Sequence, residues 1–493
     1  MSRRRPSGGW VHGAGRVGVV AAAAAGVVIG AGHIGAAPAQ LDTSSDGARI
    51  AASLTTSFCP GDPFKGGDKG TPRVDVTGGV AAHAAPDKVL DGLVAPSQEP
   101  GEITIDDLGA VTPDTSDSKP RSGPTSADVD SLDEQPQRVR GTADHAPGLE
   151  ATQSFTASGK RVRGLAATPC LAPTADAWLV AGGGERGRQE RLVLVNPGGN
   201  AVTARLDVVG TTQTDSPDRS VVVPAHGREV VLLDAIGGTS APQAVHVTAT
   251  GGLVVPTIVD NHLDGLTPAG VETVSPTMAP ATRLVLPGNA RGSSRGMVLA
   301  APGTRDAVVQ IRRLGDDPSR GVKVVTIPAN EVVDVDLPAG GGGVHSWVVE
   351  SDEPVVAAAH VTTTDGSGRS DMAWSVATPS FSGLGGVALP AAPADVQRAV
   401  DIMATEGPAS VDVLVLDDGA VTTERIELEE DRSAALAVKS SSASAVWVRP
   451  RSGRVHASAL FLGRDGGPKA MATSVPVLQA RVSVRDVPVT QAR

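Results

Sequence analysis

One pattern constrains this chain more than any other. Three stretches alternate apolar and polar residues, break at a tight hinge and alternate again, recurring at intervals of about 100 residues. They read LVLVNPGGNAVTARL (192–206), VLAAPGTRDAVVQI (298–311) and IMATEGPASVDVLV (402–415). A period of two sends successive side chains to opposite faces of a strand, so segments written this way become half-buried β-strands. The stretches that follow also align: SVVVPAHGREVVLLDAI with KVVTIPANEVVDVDL and ERIELEEDRSAALAV, then AVHVTATGGLVVPTIVD with HSWVVESDEPVVAAAHV and AVWVRPRSGRVHASALF. In that alignment Trp347 and Trp447 share one position and His246 takes it in the first copy. An Asp-Gly pair follows each time: Asp264–Gly265, Asp365–Gly366 and Asp465–Gly466.

Each copy holds seven or eight short strands with turns every 8 to 15 residues and almost no helical periodicity. Asp-Gly tolerates positive φ, which suits tight strand connections. The expected fold is all-β, with three tandem Ig-like β-sandwich modules at 178–280, 281–383 and 384–480 and a tail at 481–493. A β-propeller with two four-stranded blades per copy is the alternative. The recurrence of Trp347 and Trp447 once per 100 residues favours sandwiches, with Trp178, Trp347 and Trp447 as core anchors.

Upstream of the repeats the character changes. Arg3, Arg4, Arg5 and Arg16 precede or enter an apolar run over 17–37, and no acid occurs in residues 1–39. The segment reads as a signal peptide cleaved near Ala39 or as a membrane anchor. Residues 40–105 form an irregular β segment. Residues 106–147, acidic and Pro/Ser-rich, are expected to be a disordered loop, because they lack the apolar surface that would offset ordering entropy. Residues 148–177 form a return strand and a cysteine segment. Cys59 and Cys170 are the only cysteines. On the exported side an isolated pair bonds more often than it stays free, and a loop of about 110 residues closed this way gains about 4–5 kcal/mol.

Charge excludes some partners. Setting aside the four leader arginines leaves 39 basic against 54 acidic residues, a body of −15 that repels nucleic acid and anionic headgroups. Contact with membrane is expected through the N-terminal segment only. Catalytic signatures are missing: there is no H-E-x-x-H, P-loop, G-x-S-x-G or C-x-x-C. TTDGSGRSD (363–371) resembles a calcium loop, but the equivalent turns do not keep the oxygen count, so plain turns are expected. AGGGERGR (181–188) sets glycines beside Arg186 and Arg188 and reads as a loop between strands rather than an anion nest. Strand histidines (His246, His345, His360, His456) show no ligand spacing, and neither cofactor nor metal is expected. Aromatic platforms for sugar stacking are scarce, since Tyr is absent and Trp numbers five.

A leader, CPG at 59–61, C-x-x-P-x-x-x-x-W from Cys170 to Trp178 running into Gly-Gly-Gly, and LVLVNPG together resemble an uncharacterised, domain-of-unknown-function family of secreted or anchored proteins from high-GC Gram-positive bacteria. Leu179 departs from the aromatic usual after that Trp. The resemblance implies an envelope role near glycosyltransferases and supplies no catalytic residue. The functional expectation is a non-catalytic, extracytoplasmic envelope scaffold or interaction protein, plasma-membrane anchored or secreted, whose partner is an envelope protein or wall polymer. The alternatives are a wall glycan- or polymer-binding protein and an accessory subunit of an envelope glycosyltransferase.

Overall fold

The computed structural model describes residues 49–485 except 66–73, 75, 96, 98, 110–125, 185, 210–218, 238–241, 291, 293, 315–322, 339–342, 391–394 and 464–469. The leader at 1–39 and the Asp465–Gly466 turn lie outside the described residues. No described helix is long and apolar enough to cross a membrane. The chain falls into two units, Met1–Ile50 with Val484–Arg493, and Ala51–Ser483. Among the described residues the first unit comprises only Arg49, Ile50, Val484 and Arg485, which lie in the short strands β1 (Arg49–Ala51) and β32 (Ser483–Arg485).

The second unit is built of antiparallel strands. Its N-terminal part contains β2 (Leu54–Cys59), β3 (Val76–His83), β4 (Ile103–Asp107), β5 (Ser126–Val129), β6 (Gln137–Thr142), β7 (Glu150–Ser158) and β8 (Arg163–Pro169). The first repeat contains β9 (Asp176–Ala181), β10 (Arg188–Asn196), β11 (Val202–Val209), β12 (Ser220–Val223), β13 (Gly227–Leu232), β14 (Gln243–Thr250), β15 (Val255–Asp264) and β16 (Thr267–Val274). The second contains β17 (Ala281–Asn289), β18 (Ser294–Ala301), β19 (Ala307–Arg313), β20 (Lys323–Ile327), β21 (Glu331–Asp336), β22 (His345–Thr364) and β23 (Ser370–Val376). The third contains β24 (Gly385–Ala388), β25 (Val396–Ala404), β26 (Ala409–Asp417), β27 (Ala420–Leu428), β28 (Arg432–Val438), β29 (Ala443–Ser452), β30 (His456–Gly463) and β31 (Ala472–Gln479).

All three repeats are two-sheet sandwiches with one strand order. In the first the sheets run β12-β11-β14-β9 and β13-β10-β15-β16. The third repeats this as β27-β26-β29-β24 and β28-β25-β30-β31, with β24 also pairing β31. In the second, the 20-residue β22 serves as both the sixth and the seventh strand: its first half pairs β17 and β19, its second half β18 and β23. Alternation in sequence becomes alternation in burial, as the inward Val202, Ala204 and Leu206 of β11 show against outward Thr203 and Arg205.

The N-terminal part departs from the sequence reading. Its sheets, β2-β6-β4 and β5-β3-β7-β8, follow the same order, so it is a fourth sandwich rather than an irregular lead-in. Among the described residues its first sheet has three strands, with none at the place of β12. Residues 126–147, expected to be disordered, instead hold β5 and β6, and Val139 and Ala146 are fully buried. The inward positions of β6, Gln137, Val139 and Gly141 in QRVRGT, were hidden by the arginines between them, and the order comes from pairing of β6 with β2 and β4 and of β5 with β3.

The four sandwiches pack in a propeller-like ring. The last strands, β8, β16, β23 and β31, lie side by side around one axis, β8 against β16, β16 against β23, β23 against β31 and β31 against β8. Each second sheet is covered on both faces, which explains the unbroken apolar runs in β10 and β18. Leu192 and Leu194 point into the first repeat's own core, while Val193 and Val195 join the core of the N-terminal sandwich. Met297 and Leu299 stay at home, while Val298 and Ala300 join the first repeat. Leu460 and Ala472 meet Val361 and Ala373 of the second repeat, and Leu165 and Ala167 of β8 enter the third repeat's core, closing the ring. Each Val or Leu buried in these seams contributes about 1.5–3 kcal/mol.

Candidate functional site

At the ring axis β8, β16 and β23 are the edges of their sheets and β31 is paired on that side only at Leu478 and Gln479, by β24, so each turns a row of backbone N–H and C=O groups toward a buried space where water cannot serve them. Side chains serve them instead. Asp371, on β23, is fully buried. Its Oδ2 accepts the Leu165 N–H of β8 at 2.9 Å and the N–H of Ala472 on β31 at 3.0 Å. Its Oδ1 accepts the N–H groups of Met372 at 2.9 Å and of Val271, on β16, at 3.4 Å. One carboxyl thus joins all four sandwiches. Glu272 of β16 accepts the Thr473 hydroxyl at 2.9 Å, and Thr473 Oγ1 in turn accepts the Ala167 N–H at 3.0 Å. Gly164 has to be glycine here: its φ is +145°, and a Cβ would stand 2.1 Å from Asp371 Oδ1.

Burial dominates the titration of this cluster. It pushes Asp371 up to about 8, against the N–H bonds that favour the anion, and holds Glu272 well above the usual carboxylate range. Glu272 Oε2 is buried without a hydrogen-bond partner, which likewise disfavours charge. Between the second and third repeats, buried Asp401 accepts from the Ser346 hydroxyl and, at 3.2 Å, the Gly288 N–H; burial raises it to about 6. These carboxyls tie strands together and face no open cleft.

The axis opens at the end where the last strands begin. A cavity of about 470 Å³ there is lined by residues of every sandwich: Arg163 and Gly164, Thr267 and Pro268, Arg369, and Met471. Asp365, in the turn before β23, accepts from Ser367 N–H and Arg369 N–H and pairs with the guanidinium groups of Arg369 (3.3 Å) and Arg163 (3.7 Å). Desolvation opposes its charge, but those bonds outweigh it and hold Asp365 well below the ordinary aspartate value. A second groove, about 460 Å³, lies on the outer face of the first repeat. Trp178, Asp207 and His246 form its floor, with Pro302, Asn330 and Pro354 of the second repeat beside them.

Cys59 and Cys170 are disulfide-bonded. Asp264–Gly265 and Asp365–Gly366 connect the seventh and eighth strands of their sandwiches; Gly265 has φ +60°, and Asp365 has guanidinium and amide donors on its oxygens. Arg188 grips Asp260 with two bonds, 2.9 and 2.8 Å, beside the Trp374 indole N–H at 2.8 Å, so it serves the seam between the first two repeats. The tryptophans differ from the expected shared core anchor. Trp347 lies inside the second sandwich with Leu286 and Ile311. Trp447 lies on the opposite face of its sheet, under Val89 and Leu90, with its Nε1–H on Gly148 O at 3.1 Å. Trp178 stacks on His246, centroids 4.3 Å apart. A one-residue offset turns a side chain to the other face, so a gap-free alignment matches residues that do not correspond in space. Glu272 and Arg163 escaped the sequence reading, and Asp371 entered it only as the last residue of TTDGSGRSD, read as a plain turn. The local signal of the two carboxyls was an acid inside an apolar strand, as in SDMAWSV and GVETV.

The model of a family of unknown function, DUF5719, matches residues 125–439. The chain belongs to that family. The matched span runs from β5 to the end of β28, taking in parts of all four sandwiches. No curated protein matches the chain. A solved structure described as a tetra-tandem repeat in the extending region of a large adhesion protein is similar at 15% identity, with 88% of this chain and 100% of that chain covered; at a TM-score of 0.11 the match says nothing about the fold.

Proposed function

We propose that this member of the family is a non-catalytic scaffold or interaction protein working outside the cytoplasm, anchored by residues 1–39 or secreted after their removal. The observation that supports it is the use made of the buried acids: Asp371 and Glu272 bond to strand amides and a threonine across the ring, where a reaction would need them facing substrate. The Cys59–Cys170 disulfide suits an oxidising compartment. A rigid four-sandwich ring offers many loops and sheet edges for partners, among which an envelope glycosyltransferase is one form. Crosslinking followed by detergent extraction should recover the protein with a fixed envelope partner. Recovery as a lone monomer under every extraction condition would sink the proposal.

The groove at Trp178 and His246 favours wall-glycan or polymer recognition as a second reading, because Asp207, His246 and Asn330 set polar groups among prolines and the edge of an indole in one concave site. Retention on purified wall polymers should fall in Trp178→Ala; equal retention of both proteins counts against it.

A further inference from the structure

The mouth of the ring axis has a composition at odds with the rest of the molecule. On a chain of net charge −11, two guanidinium groups from different sandwiches line one cavity, Arg163 at the start of β8 and Arg369 in the turn before β23. Lys160 and Arg161 sit in the hairpin whose residues Ser158 and Gly159 form part of the wall. Asp365 is the carboxylate between the two arginines, and its ion pairs are long, 3.3 and 3.7 Å. Arg163 Nη1 is buried with no hydrogen-bond partner among the described residues, an arrangement that is unfavourable unless an acceptor reaches it. Asp371 and Glu272 behind Gly164, held toward their neutral forms by burial, do little to cancel the local positive charge.

We propose that this mouth binds a phosphate-type oxyanion, with Arg163 and Arg369 as the recognising side chains. Planar guanidinium forks match the oxygens of phosphate, and two forks converging from different sandwiches favour a tetrahedral anion over a single carboxylate. The cavity admits either a free phosphate or the phosphodiester of a polymer. Asp365 holds both arginines at the mouth and is also the internal competitor that a ligand must outbid, so its removal strengthens binding.

The test uses the full-length chain in calorimetric titration at constant pH and ionic strength. Inorganic phosphate should bind, acetate at least tenfold more weakly, and chloride not measurably. Arg369→Gln, half-exposed and therefore tolerated by the fold, should weaken phosphate at least tenfold; Asp365→Asn should tighten it severalfold. Arg305→Gln, on the second repeat away from the cavity, should bind as the unaltered protein does. A polyglycerol phosphate arm separates the sources: competition with inorganic phosphate assigns a polymer, and no competition assigns a free anion. Phosphate acting no better than chloride, or Arg369→Gln binding normally, overturns the site. Should Arg163→Gln fail to fold, Arg369→Gln and Asp365→Asn decide between them. Partner recovery is a separate readout, so loss of this site leaves the scaffold reading standing.

Discussion

At the residue scale, the Asn-Pro-Gly-Gly hinge shows how much work one side chain does. Asn196 is fully buried; its Nδ2 lies within 2.8–3.1 Å of the carbonyls of Asn200, Val223 and Pro224, and its Oδ1 accepts the Gly198 N–H at 2.9 Å. Asn196→Ala would leave these groups buried and short of partners, so urea unfolding should show a loss of about 1–3 kcal/mol. The second repeat has Ala301 at this place, with its carbonyl taking the Asn330 N–H. The hinge was legible as a strand connection because Pro and Gly punctuate it. That the asparagine organises it was not, since its partners at 223 and 224 come from a different turn.

At the scale of elements, period-two patterning made the strands readable, and the order of the sheets followed from repetition. Facing did not follow. The second repeat runs its sixth and seventh strands together as β22, and this shifts the face of Trp347 relative to Trp447. The distinction is measurable. Trp347→Ala and Trp447→Ala should each lower stability by about 3–5 kcal/mol. Trp447→Ala alone should also release the segment Asp87–Leu90, whose Val89 and Leu90 rest on that indole, and limited proteolysis should then cut near residues 84–95. Identical digestion of both variants would contradict the opposite facing. The disulfide was readable from compartment logic alone. It closes the N-terminal sandwich between its first strand and the residue after its last, across 111 residues. Cys170→Ser should cost about 2–5 kcal/mol, seen as a lower melting temperature that reductant no longer changes.

At the scale of the whole molecule, sequence showed copies but not their closure. Nothing local marks β8, β16, β23 and β31 as neighbours; they meet because each sandwich buries the back of its second sheet in the next, and the N-terminal sandwich closes the circuit. Closure buries acids, and buried acids couple stability to pH. Asp371 and Glu272 have folded-state pKa values raised above those of the unfolded chain, so the folded state binds more protons and stability falls as pH rises from about 4 toward the folded values. Asp401 contributes the same sign only up to about 6. Buried His456, pushed down to about 4 by desolvation, has the opposite effect: below about 6.5 the unfolded chain takes up a proton that the folded one refuses. Above about pH 7.5 His456 and Asp401 have both finished titrating, which leaves the acids that burial raises furthest, Asp371 and Glu272 at the axis and Glu150 on β7. Unfolding free energy should therefore decline between about pH 7.5 and 8.5, by at most about 1.4 kcal/mol per pH unit for each group. Asp371→Asn, which keeps the shape of the neutral acid, should remove its share of that decline and make the slope shallower. A flat profile in the unaltered protein over this window, or an unchanged slope in the variant, would show that the axial carboxyl is charged in the fold and that the ring tolerates an anion at its centre.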